Sequence, residues 1–305
     1  MTITHEQIAQ SVIAVPPLAR NADLTLNKAA NRAIVDYIKG GRVKTFLYGG
    51  NANFYHIRPS EFADILAMLT DFIDENTWII PSVGPAYGTM MDQAQIVKEF
   101  DFPTVMILPH RELANPEGIA TAVRQFVDVA GVPIVLYIKH DGWIDVPSVK
   151  KLVDDGCVSM IKYAIVRDDT SNDDYLKELT GHVDPRIIVS GIGEQPAIIH
   201  LRDFGLNGFT SGCVCVAPGM SMRMMQSIRA EDYDHAEELR AQFEPLENLR
   251  NGIHPIRVLH DAVDLAEIAE TGPILPLLTH TNEQQRHEIK QAAVVLKQIE
   301  QSTMV

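Results

Sequence analysis

A single cation interrupts an apolar run in the middle of the chain. The segment VSMIKYAIV, residues 158–166, has the composition of a buried strand, and Lys162 lies inside it. Alternation along a strand puts Lys162 on the same face as Met160 and Ala164. Burial disfavours the ammonium form, so a buried lysine can be a free amine near neutral pH and a nucleophile for carbonyl carbons. The alternative is a lysine that reaches solvent or pairs with a buried carboxylate.

A tyrosine and a second lysine follow the preceding apolar run, VPIVLYIKHDGW. Tyr137 could move protons to and from a substrate within hydrogen-bond reach. Lys139 lies two residues further on, so both side chains point the same way if the strand continues. We interpret Lys139 as binding a distal carboxylate of the substrate, or as lowering the pKa of Lys162 by repulsion. A solvated lysine at the rim is the alternative.

Apolar runs of strand length alternate with amphipathic helical patterns along most of the chain. Proline near the proposed helix starts and glycine near the proposed ends mark the boundaries of these helices. Repeated strand-then-helix units imply parallel strands, and eight of them close into a (β/α)₈ TIM barrel. Barrel enzymes build their sites at the C-terminal ends of the strands, where Lys162 and Tyr137 fall. The runs cover residues 11–15, 43–48, 78–83, 104–109, 132–137, 158–164, 186–190 and 207–211.

The pattern changes to helices alone after about residue 230. We predict helices over 231–250, 254–269 and 283–300. The chain is therefore expected to form a barrel domain over residues 1–230 and a C-terminal three-helix extension over residues 231–305.

Composition excludes several classes of partner. The net charge of -14 would repel nucleic acid. No apolar run is long enough to span a membrane, and the start MTITHEQIAQ lacks the features of a secretory signal, so we expect a cytoplasmic protein. Three cysteines are too few for a disulfide framework or a structural zinc site. We expect core residues, with a reactive thiol as the alternative, at Cys157, Cys213 and Cys215.

An ordered set of motifs resembles the dihydrodipicolinate synthase / N-acetylneuraminate lyase family of Schiff-base lyases. The set comprises YGGNANFYHIRPSEF after the second run, the tyrosine of VPIVLY, the lysine of MIKYA, and GLNGFTSG at the eighth run. The tract LRNGIHPIRVLHDAVDLAEIAETGPILPLL is more similar to 5-dehydro-4-deoxyglucarate dehydratase-like members than to the lysine-pathway enzyme. The resemblance implies no cofactor or metal beyond a covalent lysine imine, and a homo-oligomer, either a tetramer or a dimer.

The same resemblance implies roles for individual residues. Lys162 would form an imine with the ketone of a 2-keto acid, and the iminium would be an electron sink for C–C cleavage or loss of a β-hydroxyl. Tyr137 would relay protons. Backbone N–H groups of a glycine-rich turn would hold the substrate carboxylate. The predicted substrate-binding residues are Gly49, Gly50, Asn51, Lys139, Gly191 and Thr210.

The turn also departs from the family pattern. Gly50 and Asn51 stand where family members have threonine hydroxyls, so we expect a proton relay to be rerouted through water or another side chain. Asn51 could still donate to a carboxylate. Gly142 replaces the arginine that the synthases use for a second substrate, which argues against lysine biosynthesis. His110 or Arg111 is expected to face a neighbouring subunit.

Two other functions remain open from the sequence. His140, Asp141 and Asp145 in HDGWID could serve a metal-assisted aldolase or hydrolase on the same barrel, or form a solvated loop. A barrel without the turn hydroxyls could also bind a keto acid and not turn it over.

Several further patterns have an ordinary structural explanation beside a functional one. The turn SGIGEQP, residues 190–196, could bind a substrate phosphate or be a plain tight turn. His254 and His260 are expected as surface or core residues and not as ligands. A methionine-rich helix could form a subunit interface or pack against the barrel, and its methionines are Met220, Met222, Met224 and Met225.

Overall fold

Parallel strands form a closed barrel at the centre of the molecule. The computed structural model describes residues 3–302. Consecutive strands pair from β1 to β7, and β1 also pairs with β8. A parallel bridge between Ser190 and Phe209 joins β7 to the segment leading into β8 and completes the circle. The strands are β1 (Ile13–Ala14), β2 (Thr45–Tyr48), β3 (Trp78–Val83), β4 (Val105–Ile107), β5 (Ile134–Ile138), β6 (Val158–Tyr163), β7 (Ile188–Ser190) and β8 (Thr210–Ser211).

Helices surround the barrel and alternate with its strands. The (β/α)₈ barrel expected from the sequence is confirmed, because each predicted apolar run overlaps one of the strands. The helices are α1 (His5–Ala9), α2 (Lys28–Gly40), α3 (Phe62–Thr70), α4 (Tyr87–Val97), α5 (Pro116–Ala130), α6 (Val146–Asp154), α7 (Asp174–His182), α8 (Ala197–Phe204), α9 (Pro218–Arg229), α10 (Tyr233–Gly252), α11 (Pro255–Leu265) and α12 (Glu283–Ser302).

Helix α5 illustrates how local sequence sets these boundaries. The Asn115 side chain accepts the N–H of Gly118 at 2.8 Å, and Pro116 occupies the first turn, where its missing N–H costs little. Gly131 ends the helix with φ 73°, a left-handed conformation that glycine adopts without strain. The boundaries of α5 thus follow from residues that the sequence shows directly.

The last three helices are tied to the barrel by buried carboxylates. Glu300 on α12 accepts the N–H groups of Gly219 and Met220, at 2.6 and 2.8 Å, in the first turn of α9. Asp261 on α11 accepts from Arg286 on α12 at 2.6 Å. These bonds join α12 to α9 and α11 to α12, and α10 reaches the site described below. The domain boundary at residue 230 stays a prediction, and residues 1–2 and 303–305 of the predicted domains lie outside the described part.

The methionine-rich helix is α9, and its methionines belong to the core. Met220, Met222, Met224 and Met225 are all buried within this one chain. Packing against the barrel is therefore confirmed, and these side chains are not available for a subunit interface. Within residues 3–302, no helix has the length and apolar character needed to cross a membrane.

Candidate active site

A cavity of about 370 Å³ opens at the C-terminal ends of the strands. Its wall includes residues at or just beyond the ends of β1, β2, β5, β6, β7 and β8, together with residues of α10 and α11. The structure brings every site residue selected from the sequence into this wall, although their roles stay predictions. These residues are Gly49, Gly50, Asn51, Tyr137, Lys139, Lys162, Gly191 and Thr210.

A second cavity, of about 790 Å³, is larger but lies on the flank of the barrel. It is formed by α4, α5 and the segment 110–115, and it contains none of the predicted site residues. Among the described residues, no lysine or arginine lines this larger cavity. Its titratable side chains are those of Tyr87, His110 and Glu117. The chemistry therefore places the candidate active site in the smaller cavity.

Lys162 is a buried amine that has no acidic partner among residues 3–302. It is 6% exposed, and it lies on β6 directly opposite Tyr137 on β5. Its Nζ is 4.4 Å from the centroid of the Tyr137 ring. Burial, followed by repulsion from Lys139 and Arg250, lowers the pKa of Lys162 to about 7. A large fraction of this side chain is thus a free amine at neutral pH, and the pairing with a buried carboxylate considered above is wrong.

Tyr137 is the neighbouring group that can supply a proton. Burial raises the pKa of Tyr137 to about 12, although the nearby Arg250 opposes the shift. The phenol therefore keeps its proton at neutral pH and can donate it to a substrate oxygen. Tyr55 lines the same cavity. Burial is the main cause that raises the pKa of Tyr55, and a charge on the nearby Tyr137 raises that pKa further.

The end of β7 leaves no room for a side chain beside the lysine stem. A Cβ on Gly191 would lie 2.7 Å from the Cβ of Ala164, 2.8 Å from the carbonyl oxygen of Tyr163 and 3.0 Å from the Cγ of Lys162. The N–H of Gly191 donates to that same Tyr163 carbonyl at 2.6 Å. Gly191 thus fixes the position of Lys162 and uses its own N–H to do so.

The glycine turn after β2 presents backbone N–H groups to the cavity. No residue in the range 3–302 accepts a hydrogen bond from the N–H of Gly50 or Asn51. A Cβ on Gly49 would lie 2.6 Å from the Cε of Met106, so a larger residue there would require the end of the Met106 side chain to move. The Asn51 side chain instead donates to the carbonyl of Val15 at 3.1 Å. One N–H of the amide is therefore used inside the protein, and donation from its second N–H to a carboxylate stays a prediction.

A network of hydrogen bonds behind β6 holds the loops that follow β5 and β6. The hydroxyl of Tyr163, the residue after Lys162, donates to Asp173. Arg167 donates to Asp173 at 3.1 Å and to Asp141 at 2.6 Å. Burial alone would raise the pKa of Asp173, but hydrogen bonds from Arg167 and Tyr163 outweigh it and lower the pKa. The ionised carboxylate therefore ties both loops to the outer face of β6.

The HDGWID segment does not assemble a metal site. Asp141 pairs with Arg167, and Asp145 caps α6 by accepting the N–H of Ser148 at 2.7 Å. His140 does not join either of them in a group of candidate ligands within the described residues. Within the described residues, the group of candidate metal ligands that does occur lies outside this segment. It consists of Glu194, Cys213 and Glu247.

Hydrogen bonds inside the protein occupy the carboxylates of that second group. Glu194 accepts from the hydroxyls of Ser211 and Ser221, at 2.8 and 2.7 Å. Burial raises the pKa of Cys213, so its sulfur is a protonated thiol. Cys157 and Cys215 are also buried, and burial is the main cause that raises their pKa values. The expectation that the three cysteines are core residues is therefore confirmed.

The phosphate-binding interpretation of SGIGEQP is wrong. The carboxylate of Glu247 on α10 accepts the N–H groups of Glu194 and Gln195, at 3.1 and 2.9 Å. A Cβ on Gly193 would lie 1.9 Å from the Glu247 Oε1, and Gly193 has φ 98°. An internal carboxylate therefore fills the position that a phosphate would need, and the glycine is required for its approach.

Sequence reasoning missed part of the cavity wall. Arg250, Tyr55 and His56 line the cavity, and so does His254, which was expected on the surface or in the core. His254 begins α11, and its Nδ1 is buried without a hydrogen-bond partner in the described chain. His260 is a core residue as expected, with its Nε2 2.8 Å from the carbonyl oxygen of Gly272. The motif NGIHP predicts a junction between two helices, but nothing in it predicts that residues of this junction line the cavity.

Comparisons with known proteins agree with this geometry. The model of the Dihydrodipicolinate synthetase family matches residues 9–295. A protein of Rhizobium meliloti (strain 1021), named probable 5-dehydro-4-deoxyglucarate dehydratase, is 26% identical over 301 residues, covering 94% of this chain and 96% of the relative.

Solved structures share the fold. Dihydrodipicolinate synthase from Bacillus clausii superposes with a TM-score of 0.85 at 18% identity, covering 96% of this chain and 100% of the other. YagE from E. coli K12, a prophage protein of the dihydrodipicolinic acid synthase family solved with pyruvate, gives a TM-score of 0.81 at 18% identity, with coverages of 94% and 98%.

Proposed function

The chain belongs to the dihydrodipicolinate synthetase family and is a lyase of that family, and from this premise we propose that it acts on a 2-keto acid through an imine on Lys162. The observation that carries the proposal is the buried amine of Lys162, which has no acidic partner in the described part of the chain and faces the protonated phenol of Tyr137. A nucleophile with a lowered pKa beside a proton donor is the arrangement that imine formation needs.

The proposed reaction begins at the substrate ketone. The free amine of Lys162 attacks the carbonyl carbon, and Tyr137 donates the proton that lets the carbinolamine oxygen leave as water. The resulting iminium withdraws electrons, so the Tyr137 phenolate takes a proton from the adjacent carbon to give an enamine. Tyr137 then passes this proton to the hydroxyl on the next carbon, which leaves as water as the enamine electrons form the new C=C bond. Water then hydrolyses the imine and returns Lys162 to its free form. The cycle uses this covalent imine and no separate cofactor.

The turn after β2 would hold the carboxylate next to the ketone. The N–H groups of Gly50 and Asn51 are unpaired within the described residues, and both residues line the cavity. Successive backbone N–H groups make a concave site for an anion, and the missing side chain at Gly50 permits close approach.

We propose dehydration of a deoxy-keto sugar acid as the specific reaction. The relatives in Rhizobium meliloti and in Xanthobacter autotrophicus are both named probable 5-dehydro-4-deoxyglucarate dehydratase. A substrate of that kind has a 2-keto acid at one end, which fits Lys162 and the turn. C–C cleavage of a related keto acid is the alternative, and product analysis separates the two.

Two substitutions test this assignment. Lys162→Met should abolish turnover of 5-dehydro-4-deoxyglucarate, because no imine can form. Tyr137→Phe should lower kcat by about 100- to 10,000-fold, the usual contribution of a positioned acid–base group. Lys98→Met, which removes an exposed lysine at the end of α4, is the control and should be unchanged. Full activity of Lys162→Met, measured by the loss of substrate, would refute the proposal.

We also propose that the protein forms a homo-oligomer through the flank that holds the larger cavity. That flank exposes Tyr87 by 52% and Leu113 by 84%, and His110 lines the cavity there. Large apolar side chains at a cavity rim are typical of an interaction surface. A monomer in sedimentation equilibrium at micromolar concentration would contradict this.

A further inference from the structure

A buried carboxyl group on α10 lies against the turn that follows β7. The turn covers residues 191–195, between the end of β7 and the start of α8. The carboxyl group of Glu247 accepts the N–H groups of Glu194 and Gln195, at 3.1 and 2.9 Å. Glu247 is fully buried, so water does not compete for these two bonds. They attach the end of the turn to a helix of the C-terminal extension.

The middle of the turn is held from two sides. A Cβ on Gly193 would lie 1.9 Å from Oε1 of Glu247, so the backbone of the turn lies directly against the carboxyl group. On its other side, the N–H of Gly193 donates to the carbonyl oxygen of Thr210 on β8 at 3.1 Å. Loss of the Glu247 carboxyl group would therefore free one side of the turn and leave two backbone N–H groups without their acceptor.

The beginning of the same turn lies against the reactive lysine. Gly191 is so close to β6 that a Cβ on it would be 3.0 Å from the Cγ of Lys162. Gly191 and Gly193 both line the cavity, and a single residue separates them in the chain. A shift of the turn at Gly193 is therefore expected to move the lysine stem. A displacement of about 1 Å at a reacting group can lower a rate by a factor of about 100.

We propose that Glu247 is a positioning residue for imine formation, because it holds the turn 191–195 against β6 and so keeps the amine of Lys162 at the substrate ketone. This inference rests on the proposed imine chemistry and deepens it, since it makes α10 of the C-terminal extension necessary for the rate of the reaction. Glu247 is buried behind the turn and does not line the cavity. It therefore acts through the backbone of the turn and not by touching the substrate.

Glu300 on α12 provides a matched control. It too is fully buried, and it accepts two backbone N–H groups in the first turn of α9. Arg250 lies 3.5 Å from the carboxyl group of Glu247. Arg223 lies 3.6 Å from that of Glu300. No described residue of α9 or α12 lines the cavity, so the two glutamates make comparable contacts but only Glu247 makes them beside the reactive lysine.

The test compares Glu247→Asp with Glu300→Asp, because aspartate keeps the charge but ends one methylene short of the N–H groups. Borohydride trapping of pyruvate, read by intact mass over time and over a range of concentrations, gives a maximal rate and a half-saturating concentration. The assay is run at pH 9, where the amine of Lys162 is neutral because its pKa is about 7. Glu247→Asp should lower the maximal rate about tenfold or more and leave the half-saturating concentration nearly unchanged.

The control and a rescue separate positioning from general damage. Glu300→Asp should lose stability in urea, as Glu247→Asp does, but should keep the wild-type maximal rate. Glu247→Gln has the full side-chain length and one acceptor oxygen, so it should react faster than Glu247→Asp although it lacks the charge. A wild-type rate in Glu247→Asp, an equal loss of rate in Glu300→Asp, or a Glu247→Gln rate no higher than that of Glu247→Asp overturns the inference.

A double-mutant cycle tests whether Glu247 acts through the turn. Gly191→Ala displaces the lysine stem from the same side, so its effect and that of Glu247→Asp should combine to less than the product of the two single losses. Losses that multiply would mean that Glu247 acts by another route, and would overturn the inference. Absence of a pyruvate adduct in the wild-type protein would overturn the imine proposal itself.

Discussion

Lys162 shows how one buried residue can set the pH range of an enzyme. Its pKa of about 7 results first from burial and then from repulsion by Lys139 and Arg250. The sequence predicted both the burial and the repulsion by Lys139, because both follow from strand alternation. It did not predict the contribution of Arg250, since that residue lies 88 positions away in the chain and reaches the site only through tertiary packing.

The lowered pKa gives a pH dependence with a definite sign. Attack requires the neutral amine, so the rate of pyruvate adduct formation should rise with pH and level off above about 7. Lys139→Met removes a repelling charge, raises the pKa of Lys162 and moves this rise to higher pH. Lys98→Met is the control for a change in net charge. Trapping rates measured between pH 5 and 9 check the shift, and an unmoved or lowered midpoint in Lys139→Met contradicts it.

At the scale of the elements, the ends of neighbouring strands position the reactive groups. The register of β5 and β6 places Tyr137 opposite Lys162, and the approach of β7 leaves no space for a side chain at Gly191. The strands themselves were predictable from their apolar runs. Their exact register was not, because β5 and β6 contain an irregularity between Ile134 and Val135 that no local pattern marks.

Gly191 offers a direct test of this packing. Gly191→Ala introduces a Cβ 3.0 Å from the Lys162 Cγ and within 2.8 Å of atoms of Tyr163 and Ala164, so the lysine stem must move. We expect kcat to fall at least about tenfold, since small displacements of reacting groups cost large factors in rate. Overpacking should also destabilise the fold by about 1–3 kcal/mol, measured by urea denaturation.

A matched substitution separates the two effects. Gly181→Ala adds the same methyl group within α7, where no atom outside the helix backbone lies within 4 Å, so activity should be close to wild type and stability should not fall. If Gly191→Ala retained wild-type kcat, the close contact would not position the lysine.

At the scale of the whole molecule, the C-terminal helices complete a site that the barrel begins. The sequence predicted the barrel and these helices, and it selected eight residues that the structure places in one cavity wall. It could not predict that α10 delivers both Glu247 and Arg250, because helical periodicity fixes a face of a helix but not what that face contacts. The Glu247 carboxylate explains why the glycine turn after β7 is not a phosphate site.

Reductive trapping shows whether Lys162 forms an imine with a keto acid. The protein is reduced with borohydride in the presence of pyruvate and, separately, of 5-dehydro-4-deoxyglucarate, and the modified peptide is identified by mass spectrometry. We predict a stable adduct on Lys162 with each compound, and none in Lys162→Met. A protein that turns over the sugar acid yet gives no adduct, or gives it on another lysine, would contradict the account.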